Sequence, residues 1–346
     1  MSRFLKIFSR EFVELAGAVH IHTEYSHDSE VPLEKVIREA RRASLDFLCI
    51  TDHHTLQANE AEYERHPDNP MLIVGVEVND TELNNHYLIF NTQNIYTRRP
   101  AREYMKLYSE EGAIGFIAHP REKRICKRYR KYDWTEPNME AAAGLEIWNY
   151  VSSWVGNLKP TINGIFSALF PDCFVRRPLP ESLALWDKMP DKAAIGSIDV
   201  HEHRINLLGL TIKILTHKQL YQRIRTYVLL PKDVLPTSQS VIDAMAKGNS
   251  YICNCHVGYP YNFYAGISGT SGEAVSGEEV PFCENQYLYF LLSQNARIAL
   301  MRDGKEIARK HAQRGKFLIP GPGYYRLQIT RFGRGWIYTN HIHVTK

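Results

Sequence analysis

Short runs of Val, Ile, Leu and Phe recur along much of the chain, at residues 16–21, 47–51, 72–78, 86–90, 113–118, 144–148 and 193–197. Stretches with helical spacing lie between them. Pro32 suits a first helical position, and Leu33, Val36, Ile37 and Ala40 share one face of a helix over 32–40. Residues 102–111, 179–188, 218–225 and 240–247 read as further helices, the last closed by Gly248 as a C-cap. Strands alternating with helices predict βαβ units, a parallel sheet and, at this length, a barrel.

After about residue 255 the pattern changes. Gly, Ser and Asn become frequent, and alternating segments appear at 286–292, 296–301, 324–329 and 336–344. Arg302-Asp303-Gly304-Lys305 reads as a hairpin turn, because Asp-Gly favours the type I′ geometry. The expected organisation is an α/β metal-binding barrel over 1–258 followed by a small C-terminal β-sandwich over 259–346. No internal repeat is visible, and residues 121–138, dense in Arg and Lys, are the least regular part of the first domain.

Composition narrows the partners. The 346 residues are 44% hydrophobic and 23% charged, ordinary for a globular protein. A net charge of +4 permits anionic substrates but does not mark a nucleic-acid coat. No run approaches the ~18 apolar residues that span a bilayer. Residues 1–17 are interrupted by Lys6, Arg10, Glu11 and Glu14 and make a poor signal peptide. Six scattered cysteines fit reduced thiols, so a cytoplasmic location is expected.

Histidines and carboxylates punctuate the apolar runs. His20 and His22, one residue apart on an apolar segment, fall on one face of a strand and can reach one metal ion. Similar groups follow: Asp52-His53-His54, Glu77, His86, His119-Pro120 and Asp199-Val200-His201. One histidine on a strand means little. Many of them closing successive strands point to a polynuclear centre on one rim.

This set resembles the PHP (polymerase and histidinol phosphatase) superfamily of metal-dependent phosphoesterases, over residues 17 to about 255. His20-Ile21-His22-Thr23 with Ser26 matches its first motif, and Ile50-Thr51-Asp52-His53 the second. Glu77 matches the bridging glutamate and His86-Tyr87-Leu88 the later strand-opening histidine. Ala118-His119-Pro120 and Asp199-Val200-His201 match the last two. The resemblance implies a distorted (β/α)7 barrel holding two or three divalent metal ions. It assigns one to His20, His22, Glu77 and Asp199, a second to Glu77, His119 and His86, and a third to Asp28, His53 and His201. The third-site position falls on His27 or Asp28, and spacing from His22 favours Asp28. Gly196-Ser197-Ile198-Asp199 carries an extra residue relative to the family's Gly-Ser-Asp-Ala-His. Glu146 sits at a family-like position and reads as an orienting group, as does Asp52, placed to hold a ligand imidazole.

Ions sharing Glu77 would lower the pKa of a bridging water and neutralise charge on a phosphoryl group. Catalytic roles then fall on Glu77, Asp199 and His201. Arg121, directly after His119-Pro120, is the first choice as a bidentate oxyanion partner. The expected function is hydrolysis of a small phosphorylated substrate, a nucleotide or sugar phosphate among them, with zinc, manganese or iron. The alternatives are a metal-dependent hydrolase of an amide or lactone and a non-catalytic module stabilised by metal. Nucleic acid and membrane are not expected partners, since no aromatic platform for a strand is visible. His54 reads as a loop residue, while Glu202 and His203 read as solvated neighbours. His341-Ile342-His343 repeats the opening spacing without acidic partners, and Cys253-Asn254-Cys255-His256 lacks a second Cys pair. Both read as structural. Gly335-Trp336-Ile337-Tyr338-Thr339-Asn340 resembles a segment that closes some two-domain members of the superfamily, expected to pack against the barrel.

Overall fold

A computed structural model describes residues 3–63, 66–158, 166, 167, 169–207 and 210–346. The chain opens with an antiparallel hairpin absent from the sequence reading, β1 (Arg3–Ile7) and β2 (Arg10–Ile21). The apolar runs then form β3 (Phe47–Ile50), β4 (Met71–Val74), β5 (Val76–Val78), β6 (Tyr87–Phe90), β7 (Ile114–Ile117), β8 (Gly144–Asn149) and β9 (Ala193–Ser197). Next come β10 (His203–Leu207), β11 (Leu210–Ile214), β12 (Ile224–Pro231) and β13 (Ser250–Asn254). The C-terminal strands are β14 (Tyr264–Gly269), β15 (Gly272–Val275), β16 (Glu279–Pro281), β17 (Tyr287–Arg302), β18 (Lys305–Leu318), β19 (Gly323–Arg331), β20 (Arg334–Thr339) and β21 (Ile342–Thr345).

The helices among the described residues include α1 (Leu33–Arg42), α2 (Ala101–Glu110), α3 (Tyr150–Gly156), α4 (Pro180–Trp186), α5 (His217–Leu220) and α6 (Ser238–Lys247). Gly248 caps α6 at φ +78°, as its position implies. Helix α3 carries no polar stripe, because nearly all of it is buried, so helical periodicity could not reveal it. The helix expected over 218–225 is a single turn. Its second half enters β12, where Ile224, Thr226, Tyr227 and Val228 supply β-branched and aromatic residues to a buried strand.

In place of the expected distorted (β/α)7 barrel, the described strands form a mixed α/β arrangement of two sheets that do not close. The larger runs β15-β14-β17-β19-β20-β13-β12-β2-β3-β4 and the smaller β5-β6-β7-β8-β9, with β10 and β11 as a separate hairpin. The break falls inside the run expected over 72–78. Gly75 divides it, and a Cβ there would meet the Ile89 carbonyl oxygen at 2.2 Å. On the other side β9 meets β2 by isolated contacts: Ile198 N–H donates to Val19 O (3.1 Å) and His22 N–H to Val200 O (3.2 Å). Strands β2-β3-β4 and β7-β8-β9 are parallel, but β6 runs antiparallel to both neighbours. The connection over residues 79–86 is too short for a crossover helix, which needs about a dozen residues.

The C-terminal strands are continuous with the first half of the chain. Strand β20 pairs with β13 (Tyr251 with Thr339, Cys253 with Ile337), so one sheet continues from them into the first half of the chain. Leu5, Ile7 and Phe12 of the opening hairpin pack in one apolar cluster with Phe290, Leu327 and Trp336. The decoy cysteines, Cys253 and Cys255, are buried and unbridged.

Glu14 lies buried on β2, where its carboxylate accepts from Tyr251 Oη and faces Arg3. Burial pushes its pKa up from 4.5 to about 7, against the opposing effect of Tyr251 and Arg3. Folded protein therefore binds a proton between these values that the unfolded chain releases, and stability falls as pH rises from 4.5 to 7. Glu14→Gln is expected to gain up to about 3 kcal/mol above pH 7 and nothing below 4.5. Urea unfolding at pH 4 and pH 8 checks this; a difference independent of pH would refute it.

Candidate metal centre

Strand ends deliver the candidate ligands. His20 closes β2 at φ +66°, where the register to β3 slips between Ala18 and Ile21. The pair His20 and His22 thus shares a target through a bulge rather than through simple alternation. Asp28 lies in the following turn and His53 just after β3. Glu77 lies in β5, His86 precedes β6, and His119 follows β7. Asp199 and His201 follow β9. His119 (φ +27°) and Asp199 (φ +54°) are also left-handed. Non-glycine residues held there cost about 1–3 kcal/mol each, and such strain clusters at functional sites.

Glu77 occupies the centre and is 1% exposed. Its Oε2 lies 2.9 Å from His20 Nε2, 3.2 Å from His22 Nε2 and 3.4 Å from His53 Nε2. Its Oε1 lies 2.6 Å from His86 Nδ1 and 3.6 Å from His119 Nε2. Asp199 Oδ1 stands 3.4 Å from His20 Nε2 and 3.5 Å from His22 Nε2. Asp28 Oδ2 joins His201 Nε2 (3.0 Å) and His53 Nε2 (3.3 Å). Donor atoms of His22, Asp28, His53 and His201 lie within 4.8 Å of one another, as do those of His20, His22 and Glu77. The same holds for His20, His119 and Asp199, and for His53, Glu77 and His86. His27 lines the same cavity, its ring 4.9 Å from that of His53.

Charge balance explains why so many imidazoles meet so few carboxylates. Burial opposes the charge on Glu77, but His20, His53 and His86 outweigh it and hold the carboxyl well below the usual range. Asp199 is held down in the same way by His20 and His22. In return these carboxylates overcome burial at the imidazoles. His22, beside Asp199 and Glu77, rises to about 10. His119, beside Glu122 and Glu77, rises to about 9. Burial wins at His53 and lowers it to about 4. Protons thus neutralise a buried anionic cluster that divalent cations could neutralise in their place. His22 Nε2 is buried and faces both carboxylates without a hydrogen-bond partner. Imidazole and carboxylate donors in this mixture fit zinc, manganese or iron.

Outer groups fix the rings. Glu146 Oε1 binds His20 Nδ1 at 2.7 Å, and its Oε2 accepts from the His119 backbone N–H (2.8 Å) and from Asn149 (3.0 Å). Asp52 holds no imidazole. It accepts from Thr23 N–H and from Thr23 Oγ1 (2.7 Å), so it pins the backbone after His22. Glu122, unremarked in the sequence, lies 3.4 Å from His119 Nδ1 and accepts from Ser152 Oγ and Arg124 Nη2, both at 2.7 Å. It is 6% exposed within a charged run, and nothing in the spacing separates it from its neighbours.

The cluster opens into a cavity of about 480 Å³, walled partly by Leu83, Tyr129, Tyr132, Val151 and Val155. Arg121 does not reach it. The chain turns at His119-Pro120 so that Glu122 points inward, and exposed Arg121 borders a small cleft beside Glu146 and Leu179. Arg124 and Arg130 line the cavity instead. Arg124 is committed to Glu122 and to the Arg130 carbonyl, and Arg130 donates to the Glu82 carbonyl. His203 is no solvated neighbour: burial lowers it to about 4, its ring stacks on Trp154, and its Nε2 has no partner. His54 also lines the cavity, held through Nε2 by Asn79 Oδ1 at 2.8 Å.

A histidine–carboxylate cluster on the strand ends of a mixed α/β fold defines a candidate polynuclear metal centre. Residues 18–144 match the sequence model of the PHP domain. No curated protein matches the chain. One similar solved structure is a two-domain protein from Bacteroides vulgatus, described as containing a proposed PHP-like metal-dependent phosphoesterase. It is 14% identical, with 99% of each chain covered and a TM-score of 0.48. Another, a proposed metal-dependent phosphoesterase from Bifidobacterium adolescentis, is 14% identical and covers 57% of this chain and 92% of its own, with a TM-score of 0.33.

Proposed function

We propose that the chain is a metal-dependent hydrolase of phosphoesters, acting on a small phosphorylated substrate such as a nucleotide or sugar phosphate. The observation that carries this is Glu77, whose two oxygens face His20, His22 and His53 on one side and His86 and His119 on the other. His20, His22, Glu77 and Asp199 would hold one divalent ion, Glu77, His86 and His119 a second, and Asp28, His53 and His201 a third. Bound there, such ions supply Lewis acidity toward a phosphoryl oxygen and lower the pKa of water. Glu146 and Glu122 keep His20 and His119 aimed at the centre, the usual duty of groups behind metal-binding histidines. The apolar wall excludes water from one side, and a cavity of this size suits a small molecule.

Protein purified without chelator, analysed for metal and offered a panel of phosphomonoesters and phosphodiesters, tests the reading. Turnover that a chelator abolishes and metal restores supports it. Phosphate inhibition without phosphoester turnover would overturn it in favour of an amide or lactone.

Metal uptake carries a pH signature. His22 and His119 keep their protons to about 10 and about 9 in the metal-free protein, and an ion takes the lone pair only after the proton leaves. Binding at pH 7 is expected to release protons, and affinity to rise with pH until both rings are neutral. Calorimetric titration in buffers of different ionisation enthalpy measures the release. A heat independent of buffer would show that these rings are not the ligands.

A further inference from the structure

The outer face of β14, β17 and β18 combines features that lie far apart in sequence. On β17, Leu288, Phe290 and Leu292 point into the core, which leaves Tyr287 and Tyr289 on the opposite face. The antiparallel register sets Lys316 opposite Tyr289 and Arg314 opposite Leu291, with Tyr264 of β14 on Leu291's other side. Farther along, Arg297 stands opposite His311. Phe8, at the turn of the first hairpin, meets Tyr264 and Tyr289 edge-on with ring centroids 6.3 and 5.6 Å apart. The result is an aromatic ridge with exposed cations beside it.

Cations outnumber acids on this face. Lys316 Nζ sits 3.7 Å above the Tyr287 ring, and no carboxylate pairs with Lys316, Arg314 or Arg297 among the described residues. Of the acids nearby, Glu273 lies in the row of Ser268 and Tyr287 and accepts from Ser9, and Glu306 pairs with Arg309. Strand β18 pairs only with β17, and lysines and arginines commonly guard such an edge. Edge protection accounts for the cations. It does not account for half-buried tyrosine rings whose centroids stand 6.1 Å apart along one strand face.

We propose that this face binds single-stranded nucleic acid, with Tyr287 and Tyr289 stacking bases and Arg297, Arg314 and Lys316 contacting phosphates. Every base offers a π-face, so recognition is of unpaired strand rather than of sequence. A duplex hides those faces and binds more weakly. The proposal is independent of the metal centre, and the sequence alone does not show it because only strand register brings residues 287–289 beside 314–316.

The test is fluorescence anisotropy of a labelled 12-nucleotide oligouridylate or oligodeoxythymidylate with the full chain, in chelator to silence the metal centre. Expected is saturable binding that weakens about twentyfold between 50 and 200 mM salt, as for roughly three neutralised phosphates. Arg297→Glu with Arg314→Glu should abolish it. Tyr287→Leu and Tyr289→Leu keep apolar bulk and should each weaken it about tenfold, since a stacked base contributes about 1–3 kcal/mol. Absence of binding at 50 mM salt overturns the proposal. So does binding that ignores the tyrosine variants and is matched by polyphosphate or anionic vesicles, which would mark a general polyanion surface. Binding untouched by any of these variants would lie elsewhere on the chain and also overturns it.

Discussion

Glutamine in place of Glu77 is expected to lower phosphoester turnover by about a hundred- to a thousandfold, the scale for losing one preorganised charge-stabilising group, and to strip the centre of divalent metal. The shape of the side chain is kept, but an amide nitrogen replaces one of two oxygens that together face five imidazoles. That nitrogen donates where the site requires an acceptor, and the amide carries no charge to balance a cation. The fold should survive. In the metal-free variant one of His20 and His22 can release the proton that Glu77 had stabilised, while the other stays beside Asp199. Metal content by emission spectroscopy, turnover under saturating metal and far-ultraviolet circular dichroism separate these effects. Full turnover with normal metal content would remove Glu77 from the centre of the proposed mechanism.

How much of this was readable from residues alone depends on whether chemistry or backbone sets the feature. His20, His22, Asp28, His53, Glu77, His86, His119, Asp199 and His201 could be picked out because ligand chemistry restricts the residue types, and the structure brings all nine to one cavity or its floor. Which group contacts which was less accessible. Asp52 binds Thr23 rather than an imidazole, and Glu122 rather than Arg121 turns inward. Both depend on the direction of a short turn, which no periodicity encodes. The split at Gly75 arises because two backbones approach too closely for a Cβ, and the hairpin β5–β6 because the intervening loop is short. Strand β18 hid for a different reason. Its burial is nearly all exposed, so Lys305–Leu318 lacks the alternation by which a half-buried strand is recognised.

Alanine at Asn340 is expected to destabilise the protein by about 4–6 kcal/mol, from several buried polar groups left without partners at about 1–3 kcal/mol each. The Asn340 side chain accepts from Ala194 N–H (2.7 Å) and donates to Ala194 O (3.0 Å), Ser250 O (3.1 Å) and Ser250 Oγ (3.0 Å). Ala194 belongs to β9 of the smaller sheet and Ser250 to β13 of the larger, so one amide joins the two. The preceding residues anchor it: Trp336 Nε1 donates to Gly258 O at 2.7 Å, and the Tyr338 ring meets Trp148 edge-on at 5.6 Å. Asn340→Leu should cost a similar amount although it fills the volume, because the loss lies in unpaired backbone groups rather than in a cavity. Urea unfolding measures both, and a loss below about 1 kcal/mol in each would show that water replaces the amide. Turnover per folded molecule should stay unchanged at low temperature. Ala194 lies near the start of β9 and Asp199 just past its end, some 16 Å away at extended-strand spacing, so the amide joins the sheets at the end away from the cluster.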